Sequence, residues 1–214
     1  MSQNRSHAVM AQRAEPHDSL DFFPTPPWAT RALCEYLRAQ MPGIGAMRVW
    51  EPACGEGHMA RPLSEYFGEV YASDVHAYGF GHVHDFLMPY APPVRERFDD
   101  FDWIITNPPF RLGLEFALKA IDRAKIGCAL LVRTAFLEGG ERYAELFAKR
   151  RPVAILQYCE RVPMVKGRYD PKASTATSYC WVLWRCRAAK PNDTTHFFWI
   201  PPCRARFERP GDTP

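Results

Sequence analysis

Four short clusters in this sequence carry side chains whose type and spacing suit chemistry: Glu51-Pro52-Ala53-Cys54-Gly55-Glu56-Gly57, Asp74-Val75, Asp85-Phe86 and Asn107-Pro108-Pro109-Phe110. The last is the most informative. An exocyclic amino group on an aromatic base is a poor nucleophile, because its lone pair is delocalised into the ring. Two acceptors placed on its hydrogens draw it toward tetrahedral geometry and stabilise the charge that develops as a methyl group arrives. The side-chain oxygen of Asn107 and the carbonyl of Pro108 can be that pair. Consecutive prolines hold the backbone in a stiff corner, and Phe110 offers a ring to a base turned out of its stack. No general base is needed, since the proton can leave after transfer. In isolation the tetrapeptide would read as a proline loop; its place directly after the apolar run Trp103-Ile104-Ile105-Thr106 gives it weight.

Gly55, Gly57 and Ala60 match the G-x-G-x-x-(G/A) pattern that lets backbone approach a ligand at the start of a helix. Asp74 follows Gly57 by 74 − 57 = 17 residues. A carboxylate there suits a pair of ribose hydroxyls. A tight turn with a capping acid fits the same residues, and so does a nicotinamide or flavin dinucleotide. Glu51 and Pro52 favour another ligand. A carboxylate at a strand end repels a pyrophosphate but attracts the ammonium or sulfonium of S-adenosylmethionine; capping of the next helix is its plainer alternative. Asp85 could accept an adenine's amino hydrogens while Phe86 stacks on the ring, although Phe86 also reads as core.

The elements that must position these clusters are legible from periodicity. Thr30 to Ala39 reads as an amphipathic helix with Ala32, Leu33, Tyr36 and Leu37 on its apolar face. RVWE enters the glycine turn as a strand, HMARPLSEYF follows as a helix, and VYASD is a second strand ending in an acid. Strands are expected at DWIIT, CALLVRT, VAILQYC and YCWVLWR, with helices at Phe116–Ala124 and ERYAELFAKR between them. Such alternation implies a parallel sheet with helices on both faces, and ligands bind such sheets at the carboxyl ends of the strands. The clusters at 51–57, 74 and 107–110 all fall at such ends.

Composition sets the frame. With 47% hydrophobic and 24% charged residues, 214 residues suit one buried domain. Residues 1–17 are polar and aperiodic and are expected to be disordered, 18–187 to form the catalytic domain, and 188–214 a proline-rich tail. A net charge of +3 excludes a strongly basic tail as the main nucleic-acid anchor but allows a local basic face. No apolar run approaches a membrane span, and the first residues lack a secretory core. The seven cysteines form no C-x-x-C pair, so a reducing cytoplasm without disulfides or structural zinc is expected. His82 and His84 read as polar residues rather than metal ligands.

At these residues the chain resembles the class I S-adenosylmethionine-dependent methyltransferases, and among them DNA N6-adenine methyltransferases of the phage and orphan type. The matching residues are Phe23-Pro24-Thr25-Pro26, Glu51 to Gly57, Ser73-Asp74, Asp85-Phe86 and Asn107 to Phe110, within about residues 20–185. The resemblance implies an α/β Rossmann-like fold with a mostly parallel seven-stranded sheet. It implies that Phe23, Thr25, Pro26, Glu51, Pro52, Ala53, Cys54, Gly55 and Gly57 hold the cofactor's methionine end. Asp74 and Val75 would meet the ribose, Asp85 and Phe86 the adenine, and Asn107 to Phe110 the target and the methyl group. Similar tetrapeptides occur in RNA and protein-glutamine methyltransferases; the P-T-P segment leans toward DNA. About 50 residues separate Gly57 from Asn107 and about 30 follow Trp184, which leaves no room for a large recognition domain. Short or relaxed specificity is therefore expected. Phosphate contacts are expected from Arg111 and the loop Val162–Thr177, with Lys166, Arg168 and Lys172, and from Arg204, Arg206 and Arg209. Tyr169 or Met164 would fill the place of a flipped base. An RNA base methyltransferase (adenine N6 or guanine N2) and a catalytically silent nucleic-acid-binding module are the competing readings.

Overall fold

The computed structural model describes residues 21–88, 101–186 and 194–212; the disordered segment expected at 1–17 lies outside them. The first helix, α1 (Pro27–Gln40), starts three residues earlier than its periodicity suggests. Pro27 opens it, since a first-turn N–H has no intrahelical acceptor to lose. The strands are β1 (Arg48–Glu51), β2 (Glu69–Asp74), β3 (His82–Val83), β4 (Trp103–Thr106), β5 (Gly127–Arg133), β6 (Ala154–Tyr158), β7 (Tyr179–Arg185) and β8 (His196–Ile200). They form one sheet in the order β3-β2-β1-β4-β5-β7-β6-β8. Strands β3 to β5 run parallel, β7 is antiparallel to β5 and β6, and β8 runs parallel to β6.

Helix α3 (Gly113–Arg123) is three residues longer at its start than expected. The expected helix after the glycine turn shrinks to α2 (Ala60–Leu63), and the helix expected at ERYAELFAKR becomes α4 (Gly140–Arg142) followed by a wide π-type turn, Tyr143–Phe147. Among the described residues, no helix is long and apolar enough to cross a membrane.

Central strands are buried on both faces, which is why they read as unbroken apolar runs rather than as alternation. Trp103, Ile105, Leu131 and Trp181 pack with Trp28 and Leu33 of α1 on one face. Ile104, Leu130, Val182 and Trp184 pack with Phe86, Phe116 and Ala120 on the other.

The sheet has eight strands where seven were expected. The eighth comes from the stretch set apart as a tail: His196 to Ile200 pairs along the whole of β6. Its aromatic side chains are largely exposed, so no inside–outside alternation marked it. Helix α5 (Arg204–Phe207) follows and lies on α1. Arg31, buried in α1, holds this segment: its guanidinium donates to Glu65, to the Phe207 carbonyl and to Asp212 at 2.7–3.1 Å.

Candidate active site

The chain leaves β1 toward β2 and β3 on one side, and β4 and β5 lie on the other. The crevice between the ends of β1 and β4 is therefore the switch point of the sheet. A cavity of about 680 Å³ opens there, within the range of small-molecule sites. It is lined by Glu51 to Cys54 after β1, Asp74 and Val75 after β2, Asp85 and Phe86, and Asn107 and Pro109 after β4. A strap, Asp21 to Thr25, closes another side. One cavity thus gathers residues from all four clusters and from the P-T-P segment, while Gly55, Glu56, Gly57, Pro108, Phe110 and Pro26 lie off its wall.

Asn107 is held in one orientation. Its Nδ2 donates to the Phe23 carbonyl at 2.9 Å and to Thr25 Oγ1 at 3.1 Å. Two acceptors on the nitrogen fix which end of the amide is which, and the Oδ1 atom is left buried without a hydrogen-bond partner. A buried acceptor without a donor costs about 1–3 kcal/mol, so it marks a place where a donor belongs.

Glu51 is 2% exposed, and its Oε2 has no partner. Burial, and then the nearby charge of Asp74, push its carboxyl well above the usual carboxylate range. Asp74 is satisfied in part by the protein: Oδ2 accepts from Gly55 N at 2.9 Å and Oδ1 from His76 N at 3.0 Å. It therefore fastens the glycine turn to β2, the plainer of its two expected roles, while its place on the cavity wall leaves acceptor capacity for hydroxyls.

The glycine turn is tighter than a ligand alone would need. Gly55 (φ 49°) and Gly57 (φ 84°) adopt left-handed backbone. A Cβ on Gly55 would sit 2.3 Å from the ring of Phe22, and one on Gly57 2.6 Å from Phe80. The backbone approach permitted by Gly55 is thus used by the strap, whose Phe22 also packs at a tilt on Tyr78 with centroids 4.7 Å apart.

Several assignments shift. Phe110 does not line the cavity: the Arg133 guanidinium lies 3.8 Å from its centroid, Phe23 packs at 4.9 Å, and its N–H donates to Asp21 Oδ2 at 2.5 Å. In this arrangement Phe110 braces the proline corner instead of presenting an open face to a base. Pro108, two residues before it, and Pro26 of the strap side are both buried and stiffen backbone. Phe86 lines the cavity and is also core, edge-on to Trp50 at 5.1 Å. Met164 is 6% exposed with its sulfur 3.5 Å from Asn107 Nδ2, which removes it as a wedge. Tyr169 is half-buried against His58 at 5.4 Å.

Of the expected cations, Lys166, Arg168 and Lys172 are exposed on their loop, and Arg111 is exposed at the cavity. The tail arginines are tied to this chain: Arg204 to Glu208 at 2.9 Å, Arg209 to Glu65 at 2.8 Å, and Arg206 over Phe207. Sequence reasoning missed Phe22, His58 and Tyr78, all of which line the cavity. Only His58 carried a signal, as a titratable group next to the second glycine.

No family model and no curated protein sequence matches the chain. Solved structures do. A type I restriction-modification methyltransferase subunit from Streptococcus thermophilus aligns with TM-score 0.63 and 11% identity over 89% of this chain and 49% of its own. A candidate RNA methyltransferase from Pyrococcus horikoshii aligns with TM-score 0.59 and 14% identity over 82% of this chain and 91% of its own. A candidate class I S-adenosylmethionine-dependent methyltransferase from Listeria monocytogenes aligns with TM-score 0.58 and 13% identity over 85% of this chain and 67% of its own. The fold is the Rossmann-like fold of class I methyltransferases. The chain spans about half the length of the restriction-modification subunit it matches.

Proposed function

We propose that this chain transfers a methyl group from S-adenosylmethionine to the exocyclic amino group of a nucleic-acid base, with adenine N6 in DNA as the target. The observation that carries this reading is Asn107. Its nitrogen is consumed by the strap and its oxygen has no partner, at the wall of a cavity that also holds a buried carboxylate with one oxygen unanswered.

The residues present suit the cofactor. Glu51, buried and without a partner on Oε2, is a place for a cation, and a bound ammonium would stabilise its ionised form. Asp74 would hold the ribose hydroxyls, and Asp85 with Phe86 the adenine. S-adenosylmethionine supplies an electrophilic methyl carbon bonded to a positively charged sulfur. Asn107 Oδ1 and the Pro108 carbonyl accept the two amino hydrogens of the target base. So held, the base nitrogen would present its lone pair to that methyl carbon, with the sulfur departing as a neutral thioether and the surplus proton lost to water. The role of the protein is orientation and acceptor placement, the larger part of such catalysis. Lys166, Arg168, Lys172 and Arg111 contact phosphates without reading sequence.

Incubation with methyl-labelled cofactor and separate pools of duplex DNA, RNA and protein tests the assignment. Label in N6-methyladenine of DNA is expected; label confined to RNA or protein overturns the target. RNA is the second reading, favoured by one observation: the Pyrococcus structure is matched over 91% of its length.

A further inference from the structure

Four side chains of the cavity wall are polar and more than nine-tenths buried: Thr25, Glu51, His58 and Asp74. The protein itself uses two of them. Thr25 accepts from Asn107 Nδ2, and Asp74 accepts from Gly55 and His76. The other two are left over. Glu51 Oε2 has no partner, and neither does Nδ1 or Nε2 of His58.

Leaving both imidazole nitrogens of a 3% exposed histidine unmet is costly. Its surroundings are rings: Phe22 at 6.5 Å and Tyr169 at 5.4 Å, neither supplying a hydrogen bond. Burial, with a contribution from Arg61, lowers its pKa against the pull of Glu56. A neutral imidazole keeps one N–H to donate.

The two leftovers are chemically complementary. A buried carboxylate asks for a cation, and a buried N–H asks for an acceptor, best an anionic one. They flank the glycine turn, Glu51 before it and His58 directly after Gly57. A ligand that answers both carries an ammonium and a carboxylate, as an amino-acid end does. We infer that His58 is a binding residue for the α-carboxylate of the cofactor's amino-acid end, opposite Glu51, which takes the ammonium. This rests on the cofactor reading given above and adds to it a residue that discriminates amino-acid-bearing ligands from plain nucleosides.

The contact also joins three segments. His58 stands between Phe22 of the strap and Tyr169 of the loop at 162–177, and the Phe22 carbonyl accepts from Gly167 N of that loop at 2.8 Å. A carboxylate held by His58 therefore sits under the strap and beside the loop assigned to nucleic acid.

Calorimetric titration of the whole chain with S-adenosylhomocysteine and with 5′-methylthioadenosine, which lacks the amino-acid end, separates the outcomes. His58→Leu should weaken S-adenosylhomocysteine about tenfold or more while leaving 5′-methylthioadenosine within about twofold. His58→Gln, which keeps an N–H donor, should recover much of the loss. Retained 5′-methylthioadenosine binding also shows that the variants fold. Equal losses for both ligands, or no loss for either, overturn the assignment of His58. Binding of neither ligand by the unaltered protein overturns the cofactor reading, and the assignment falls with it.

Discussion

Two groups of buried charge in this molecule are built in opposite ways. On α1, Arg31 has a side chain 4% exposed, yet every direction is answered: Glu65 at 2.8 Å, Asp212 at 2.7 Å and the Phe207 carbonyl at 2.7 Å. Burial works against the charge of Asp212, but the hydrogen bond from Arg31 and that from Arg209 N hold its carboxyl below the usual range. At the strand ends, Glu51 is equally buried and faces another acid instead of a base, so its carboxyl is pushed upward. A buried charge that serves the fold carries its partner in the same chain. One that serves a ligand lacks its partner until the ligand arrives, and the fold bears the cost.

The contrast can be broken most forcefully at Arg31. Arg31→Met leaves Asp212 and Glu65 without their cation and releases the segment that follows β8. A loss of about 3–5 kcal/mol is expected, read as a lower urea midpoint. Asn107→Ala comes next: it removes the acceptor Oδ1 and also frees the Phe23 carbonyl and Thr25 of the strap. Turnover should fall about 10²–10³-fold while affinity for S-adenosylhomocysteine falls far less, as a methyl-transfer assay beside calorimetry would show. An equally active Asn107→Ala protein would mean that the catalytic pocket is misassigned.

Glu51→Gln tests the same idea with both signs at once. A folded-state pKa raised above the unfolded value gives stability that is full at low pH and lost as pH rises through the folded pKa. The amide removes that loss. At neutral pH the ligand-free variant should therefore melt higher than the native chain, by about 2–4 °C for each 1 kcal/mol regained, while binding S-adenosylhomocysteine about tenfold more weakly. The advantage should vanish in acid. Asp212 carries the opposite sign: its lowered pKa gives stability above the ordinary carboxylate range that is lost as pH falls. Melting temperatures across pH in native and Glu51→Gln proteins would separate the two. The smallest effect is expected at Lys172, exposed on its loop. Lys172→Ala should lower the salt dependence of DNA binding by about one phosphate contact without altering cofactor affinity.

How much of this was legible in the sequence differs from one element to the next. Strands β4, β5 and β7 announced themselves as apolar runs because both faces of each are covered, whereas β1, β2 and β6, partly open, were legible as short strand-forming stretches between turns. The lengths of α2 and α4 did not follow from local pattern: the first periodic stretch is helical only over Ala60–Leu63, and the second passes after Arg142 into the π-type turn at Tyr143–Phe147. β8 was hidden because an edge strand with exposed rings lacks the alternation that burial imposes. Its register against β6 is a long-range decision. Within the site, the glycine turn, Asp74 and the Asn-Pro-Pro corner could be placed by type and spacing. The brace formed by Phe110 with Arg133, the strap ring of Phe22 on Gly55, and the burial of Met164 could not.

The order of residues along the chain determined which groups stand at strand ends and which turns need glycine, because those are consequences of local backbone geometry and of periodicity. Only the folded structure decided which buried polar atoms find partners. Pairing depends on groups distant in sequence, as Asn107 with Phe23 and Arg31 with Asp212, and so Asn107 Oδ1, Glu51 Oε2 and His58 stand out only once every other bond has been drawn.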